Sequence, residues 1–264
     1  MNAITLTLNG SPVTALAAPG TSLRDFLRAQ GCFSVRFGSD DGITGAATVL
    51  LDGSPVSGDV VLAEQAAGRS VLTLEGLEGP NGELHPIQQA FTVTGALQSG
   101  YSAGAQMLVT KALLDRNPNP SEAEIRDALG GVLDRETAYV KVVEAVRRAS
   151  ALIRGEAVEP FRPIIVTPLT NGRDPVDYQP GNPAGNASPA IPRIIPSPDV
   201  PRMAVVGKPE IKVDALKLVK GNPAFSDDIE MRGMLTARVL RSPHAHARIL
   251  DIEDRKSTRL NSSH

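Results

Sequence analysis

Tryptophan is absent, and aromatic residues make up only 3% of the 264-residue chain. Platforms that stack nucleobases need aromatic faces, so this scarcity argues against single-stranded nucleic-acid binding. Neither sign of charge is in excess: 27 Lys and Arg stand against 29 Asp and Glu, a net charge of −2. Electrostatic attraction to nucleic acid or to an anionic membrane therefore has no basis. No apolar run approaches the roughly 18 residues of a membrane span. The start, M-N-A-I-T-L-T-L-N-G, alternates like a strand and lacks a basic stretch followed by an apolar one, so no secretory signal is read. Cys32 is the single cysteine. One thiol rules out an intrachain disulfide framework and makes a cytoplasmic home the expectation.

What is present suffices for a core: 41% of residues are hydrophobic, and the length allows one large domain or two smaller ones. Residues 3–8 (A-I-T-L-T-L) alternate with period 2, N-G-S marks a turn, and S-P-V-T-A-L reads as the hairpin partner. Thr21 or Ser22 can cap a short helix, L-R-D-F-L-R-A-Q, closed by Gly31. V-L-L at 49–51, P-V after a D-G turn, and S-V-L-T-L-E at 70–75 complete a small mixed sheet, with L-A-E-Q-A-A as a helical turn. Residues 1–78 thus read as a compact α+β domain of ferredoxin size.

From His85 the period changes to 3.6. Helices are expected over H-P-I-Q-Q-A-F-T-V-T-G-A-L-Q, over A-Q-M-L-V-T-K-A-L-L-D-R-N, after Ser121, and over T-A-Y-V-K-V-V-E-A-V-R-R-A-S-A-L-I-R-G. Ser121 with Glu124 three residues on is a capping box. Residues 79–155 therefore read as a four-helix bundle. Pro and Gly dominate 156–202, which reads as an extended linker. A further segment begins at Met203 and runs to about 253; its last part alternates like a strand, and it looks too short to bury a core. The tail at 254–264, D-R-K-S-T-R-L-N-S-S-H, shares no pattern with the rest. It reads as one translated frame of a sequencing-library adaptor, so the natural protein is expected to continue instead past Glu253.

The stretch S-D-D-G-I-T-G-A-A-T at 39–48 raises the functional question. Two glycines among small residues make a tight loop, and such loops usually wrap something. This one has no thiol and no histidine.

The surrounding blocks resemble the iron–sulfur domain of molybdenum hydroxylases, the xanthine dehydrogenase and aldehyde oxidase family. The resemblance covers residues 3 to about 155 and rests on L-R-D-F-L-R, G-I-T-G-A-A-T-V-L-L-D-G, L-A-E-Q-A-A-G, V-L-T-L-E-G-L, H-P-I-Q-Q-A-F, G-A-L-Q-S-G-Y, I-R-D-A-L-G-G and Y-V-K-V-V-E-A-V. It implies a plant-ferredoxin-like β-grasp unit followed by a four-helix bundle. Residues 205 to about 252, with V-G-K-P, D-A-L-K-L-V-K-G and L-R-S-P-H-A-H-A-R-I-L-D-I, resemble the start of the same family's molybdenum-binding part. That implies a partial α/β hammerhead-like segment, no inserted flavin domain, and a molybdopterin cofactor held beyond this chain.

The family carries two 2Fe–2S clusters on eight cysteines, the first set spaced C-x4-C-x2-C with a distant fourth. Those positions fall on Ser39, Thr44, Ala47 and Asp59 for one cluster, and on Ser99, Ser102, Asp134 and Glu136 for the other. Ala47 has no ligating atom, and hydroxyls are poor ligands where soft thiolates are selected. Cys32 lies at no ligand position. No cluster, and no catalytic or cofactor-binding residue, is therefore expected in this chain.

Other chemistry is weaker. Asp59 with Asp40 and Asp41, or Asp134 with Glu136, could bind a hard cation through oxygen; the plainer reading is loop and helix caps. Ser99 and Ser102 read likewise as turn residues ahead of a helix. His85 before Pro86 reads as a cap, and His244 with His246 reads as an interface or solvated face rather than half a metal site. The resemblance implies a degenerate scaffold packed on the molybdenum domain of a parent oxidoreductase, with electrons leaving through a partner acceptor or directly. The alternative is a non-catalytic interaction module, a pseudoenzyme.

Overall fold

The computed structural model describes residues 1–136, 139–158, 211–229, 231–235, 237 and 241–251. These divide into two units, Met1–Asp228 and Ile229–His264.

The first unit is mixed α+β. Strand β1 (Asn2–Leu8) turns at Asn9-Gly10, both at positive φ, into β2 (Ser11–Ala17). The alternation puts Ile4, Leu6 and Leu8 on the buried face. Helix α1 (Leu23–Ala29) lays Leu23, Phe26 and Leu27 over them. Ser22, not Thr21, is its cap: the Ser22 hydroxyl accepts from the Asp25 N–H at 3.1 Å, while the Thr21 hydroxyl donates to the Ala18 carbonyl at 2.7 Å. Strands β3 (Thr48–Leu51), β4 (Ser54–Ser57) and β5 (Ser70–Leu72) complete a five-stranded sheet of order β2-β1-β5-β3-β4, parallel only between β1 and β5. The expected strand over 70–75 stops at Leu72, because Leu74–Gly76 winds into a 3-10 turn.

Four helices follow: α2 (Pro86–Thr94), α3 (Ala103–Arg116), α4 (Glu122–Leu129) and α5 (Tyr139–Ile153). Helix α2 ends sooner than the periodicity suggests, since Gly95 adopts the left-handed conformation. His85 caps it, its Nδ1 accepting from the Ile87 N–H at 3.2 Å. That role needs a neutral imidazole, and burial, with Lys111 nearby, lowers the His85 pKa. Phe91, Ile87, Met107, Leu108, Ile125 and Val146 form the centre of the helical core. The Ser121 capping box on α4 is present as read. Ser121→Ala should cost about 1 kcal/mol, read as a lower urea midpoint with unchanged slope.

Residues 211–228 depart from expectation. They join the first unit instead of standing apart: α6 (Ala215–Val219) buries Ala215 and Val219 in the helical core. A short apolar helix needs no core of its own when a groove between α2 and α3 accepts it. Gly100 leaves room for it; a β-carbon there would stand 2.7 Å from Leu218. In the second unit the strand-like reading of the alternating stretch fails. Residues 241–251 are exposed and bent, with no strand among the described residues. Alternation makes a strand only when a neighbour pairs its backbone. Most of the expected linker at 156–202, and all of the 254–264 tail, lie outside the described residues.

Candidate functional site

The opening loop is held by its own backbone. The Gly42 N–H donates to the Ser39 carbonyl at 3.1 Å, Gly45 to Gly42 at 3.2 Å, and Thr48 to Gly45 at 3.1 Å. Gly42 and Gly45 carry φ of 72° and 66°, which side chains rarely tolerate. What the loop curls against is protein. The Leu133 N–H donates to the Thr44 carbonyl at 2.9 Å, and a β-carbon on Gly45 would lie 2.0 Å from the Gly131 carbonyl oxygen. The loop thus seats itself on the turn after α4.

Of the first set, Ala47 and Asp59 meet beside α1, where β3 begins and β4 ends, while Ser39 and Thr44 stay in the loop, the Thr44 N–H 3.5 Å from the Ser39 hydroxyl. Ala47 is fully buried, and its carbonyl accepts from the Gly58 N–H at 2.9 Å. The Gly58 carbonyl accepts from the Arg24 N–H at 2.9 Å. Beside this join the Asp59 carboxylate, wholly buried, accepts from Arg24 Nη1 at 2.5 Å. The Arg24 guanidinium lies 4.7 Å from the ring centre of Phe37. Thr44 Oγ1, Ser57 Oγ and Asp59 Oδ2 are buried without a hydrogen-bond partner. Each such atom costs about 1–3 kcal/mol unless water reaches it. Asp40 and Asp41 stay exposed, and Asp41 accepts from the Ile43 N–H, so they do not turn inward to join Asp59.

The second set meets in pairs. The Glu136 carboxylate accepts from both the Ser99 N–H, at 2.5 Å, and the Ser99 hydroxyl. The Ser102 hydroxyl lies 3.4 Å from Asp134 Oδ1. Ser102 stands in the turn directly ahead of α3, as read, and makes no side-chain capping bond. The hydroxyl of Tyr139 accepts from the Asp134 N–H at 3.1 Å and donates to the Asp134 carbonyl at 2.5 Å.

Cys32 is buried in the sheet core. Burial, helped by the Glu75 charge, pushes its thiol pKa up to about 12. A thiol so held is a core side chain and not an available thiolate. His244 and His246 are exposed, and His244 bonds only through its backbone, to Ser242.

Between the two sets lies an ionic joint that sequence reasoning missed. The Asp228 carboxylate accepts from the Arg36 guanidinium through both oxygens, and from Arg28 Nη2 at 3.0 Å. It also takes the Ala224 and Phe225 N–H groups at 2.9 and 3.0 Å. Arg36 stacks 4.4 Å from the Phe225 ring centre, and Tyr101 meets Phe225 edge-on at 5.4 Å. The Tyr101 hydroxyl donates to the Phe37 carbonyl at 2.7 Å. The one signal available beforehand was Arg36, a charge among apolar and small residues in C-F-S-V-R-F-G.

A five-stranded sheet and the helices after it, similar to those of known molybdenum hydroxylases, mark this chain as an iron–sulfur domain of hydroxylase type. A family model for the 2Fe–2S binding domain matches residues 73–147. The nicotinate dehydrogenase small FeS subunit of Eubacterium barkeri is 42% identical over 152 residues, 56% of this chain and 96% of that one. A probable hypoxanthine oxidase, XdhD, of Escherichia coli is 30% identical over 259 residues, 97% of this chain and 23% of its own. The crystal structure of an aldehyde oxidoreductase from Desulfovibrio desulfuricans superimposes with a TM-score of 0.64 at 31% identity, over 86% of this chain and 22% of that one. The chain belongs to the xanthine dehydrogenase and aldehyde oxidase family of molybdenum hydroxylases.

Proposed function

We propose that this chain is the N-terminal portion of a molybdenum-hydroxylase-like oxidoreductase whose 2Fe–2S domain holds no cluster and serves as a scaffold. The observation that carries the reading is the donor set at the family's ligand positions. Ala47 offers no lone pair; Asp59 gives one oxygen to Arg24, and its other oxygen and the Thr44 hydroxyl, though unpartnered, are hard donors. Ser99 and Glu136 spend their polar groups on each other. The one thiol of the chain, Cys32, sits in the sheet core at 4% exposure. The residues present do not fit a 2Fe–2S cluster, which selects soft thiolates.

What the domain does in this reading is mechanical. It offers a rigid face on which residues 211–228 are seated through Asp228 and α6. Those residues lie in the stretch that resembles the start of the molybdenum-binding part, so the partner is the rest of the same protein. Molybdopterin would be held there, outside this chain. Electrons from substrate oxidation would leave through an acceptor protein or by direct contact with a small acceptor. That the XdhD alignment spans 23% of its relative, and nearly all of this chain, supports the view of a portion of a larger oxidoreductase.

The test is metal content. The full chain, expressed in a host that assembles iron–sulfur clusters, should contain no stoichiometric iron or acid-labile sulfide and show no visible band. About four irons per chain with a cluster spectrum would overturn the reading.

A further inference from the structure

The replacements at the second set of positions are sorted by chemistry. Both residues ahead of α3, Ser99 and Ser102, carry hydroxyl donors. Both residues after α4, Asp134 and Glu136, carry carboxylates, which at neutral pH only accept. The two pairs lie 37 and 32 residues apart in the chain, yet donors face acceptors in both. We propose that these four residues form a metal-independent clip, which ties the α2–α3 connection to the α4–α5 connection. The proposal rests on the cluster-free reading above and says what took the cluster's place.

The geometry singles out Glu136. Its two oxygens take the N–H and the hydroxyl of one residue, a bidentate and charge-assisted grip. Ser99 is in turn fixed, since its Oγ accepts from the Tyr101 N–H at 3.1 Å. Tyr101 carries the tie onward to the Phe37 carbonyl beside the opening loop. On the other side Asp134 cannot drift, because the Tyr139 hydroxyl clamps both its backbone groups. Its carboxylate stands 3.4 Å from the Ser102 hydroxyl, a looser second contact. The Ser102 side chain is not spent on capping its own helix, which leaves its hydroxyl for the tie. Chain connectivity alone would let the two connections move apart. The clip closes a loop of 37 residues with hydrogen bonds instead of metal–sulfur bonds.

Two measurements on the full chain test this. The first is a double-mutant cycle on Ser99→Ala and Glu136→Gln. Each single change should lower the thermal midpoint by about 2–4 °C. The double variant should fall by less than the sum of the two single losses, because both changes weaken the one contact between these residues. Strictly additive losses would overturn the clip. The second restores thiols at all four positions: Ser99→Cys, Ser102→Cys, Asp134→Cys and Glu136→Cys. If the fold brings these four positions together, as the clip requires, this variant should take up about two irons and two sulfides per chain in a cluster-assembling host. A folded variant without iron would show that the four positions no longer converge, and the proposal would fall. Iron in the unaltered chain would instead sink the cluster-free reading, so the two failures are distinguishable.

Discussion

Asp228→Asn should destabilise the first unit by about 3–5 kcal/mol, the usual cost of breaking a buried ion pair by removing one partner. The Asp228 side chain is fully buried, and Arg36 is 5% exposed. Asparagine is the same size, so the loss is not a cavity. It is the charge left on Arg36 between Phe225 and Tyr101, with one fewer acceptor and no counter-ion. Urea unfolding should show the midpoint falling with little change in slope. Lys220→Ala is the natural comparison. Its pair with Glu78 also fastens residues 211–228, but both partners are partly exposed, and such pairs contribute only about 0–1 kcal/mol. Equal losses for the two variants would mean that the joint is no stronger than a surface contact.

The same carboxylate predicts a pH response. Burial works to raise its pKa, but Arg36, the Ala224 and Phe225 N–H groups, and Arg28 outweigh that and hold it well below the usual carboxylate range. A folded pKa below the unfolded one means that stability is fully present above the unfolded value, about 3.9. It is lost as pH falls below that value towards the folded pKa. The wild-type chain should therefore weaken below about pH 4, and Asp228→Asn should weaken less steeply there.

The second large effect concerns the opening loop. Gly45→Ala should cost roughly 2–5 kcal/mol, from two sources. Its φ of 66° disfavours any side chain, and the new β-carbon would stand 2.0 Å from the Gly131 carbonyl and 3.2 Å from the Val132 α-carbon. Both neighbours are backbone, so neither can rotate away. The Thr44–Leu133 hydrogen bond beside them would have to lengthen or break. Gly131→Ala is the control on the opposite side of the same contact. No atom lies within 4 Å of its β-carbon, so it should be near neutral. A loop that tolerated Gly45→Ala as well would not be seated on the turn after α4.

Much of the framework was readable from local pattern. The alternation of Ile4, Leu6 and Leu8, the Asn9-Gly10 turn, the Ser121 capping box and the His85 cap all act within a few residues. Short-range sterics and hydrogen bonds decide such features, and the order of residues specifies them directly. The same holds for ligand chemistry: a chain with one cysteine cannot place thiolates at eight positions, however it folds. The errors came where a local pattern competed with something distant. The segment from Met203 to about 253 looked too short to bury a core, yet its Ala215 and Val219 are buried in the core of α2 and α3. Ser102 does stand in the turn ahead of α3, but no local pattern signals that its hydroxyl faces a carboxylate on another connection.

Sequence alone therefore settled the succession of sheet and helices, the turns that join them, and the want of soft ligands. Tertiary structure decided the partners of the charged and polar groups: Asp59 with Arg24, Glu136 with Ser99, Asp228 with Arg36. These partners lie 35, 37 and 192 residues apart. No periodicity reaches so far. Removing water from a carboxylate makes it take whichever donor the packed backbone brings within reach, and only the folded chain determines which donor that is.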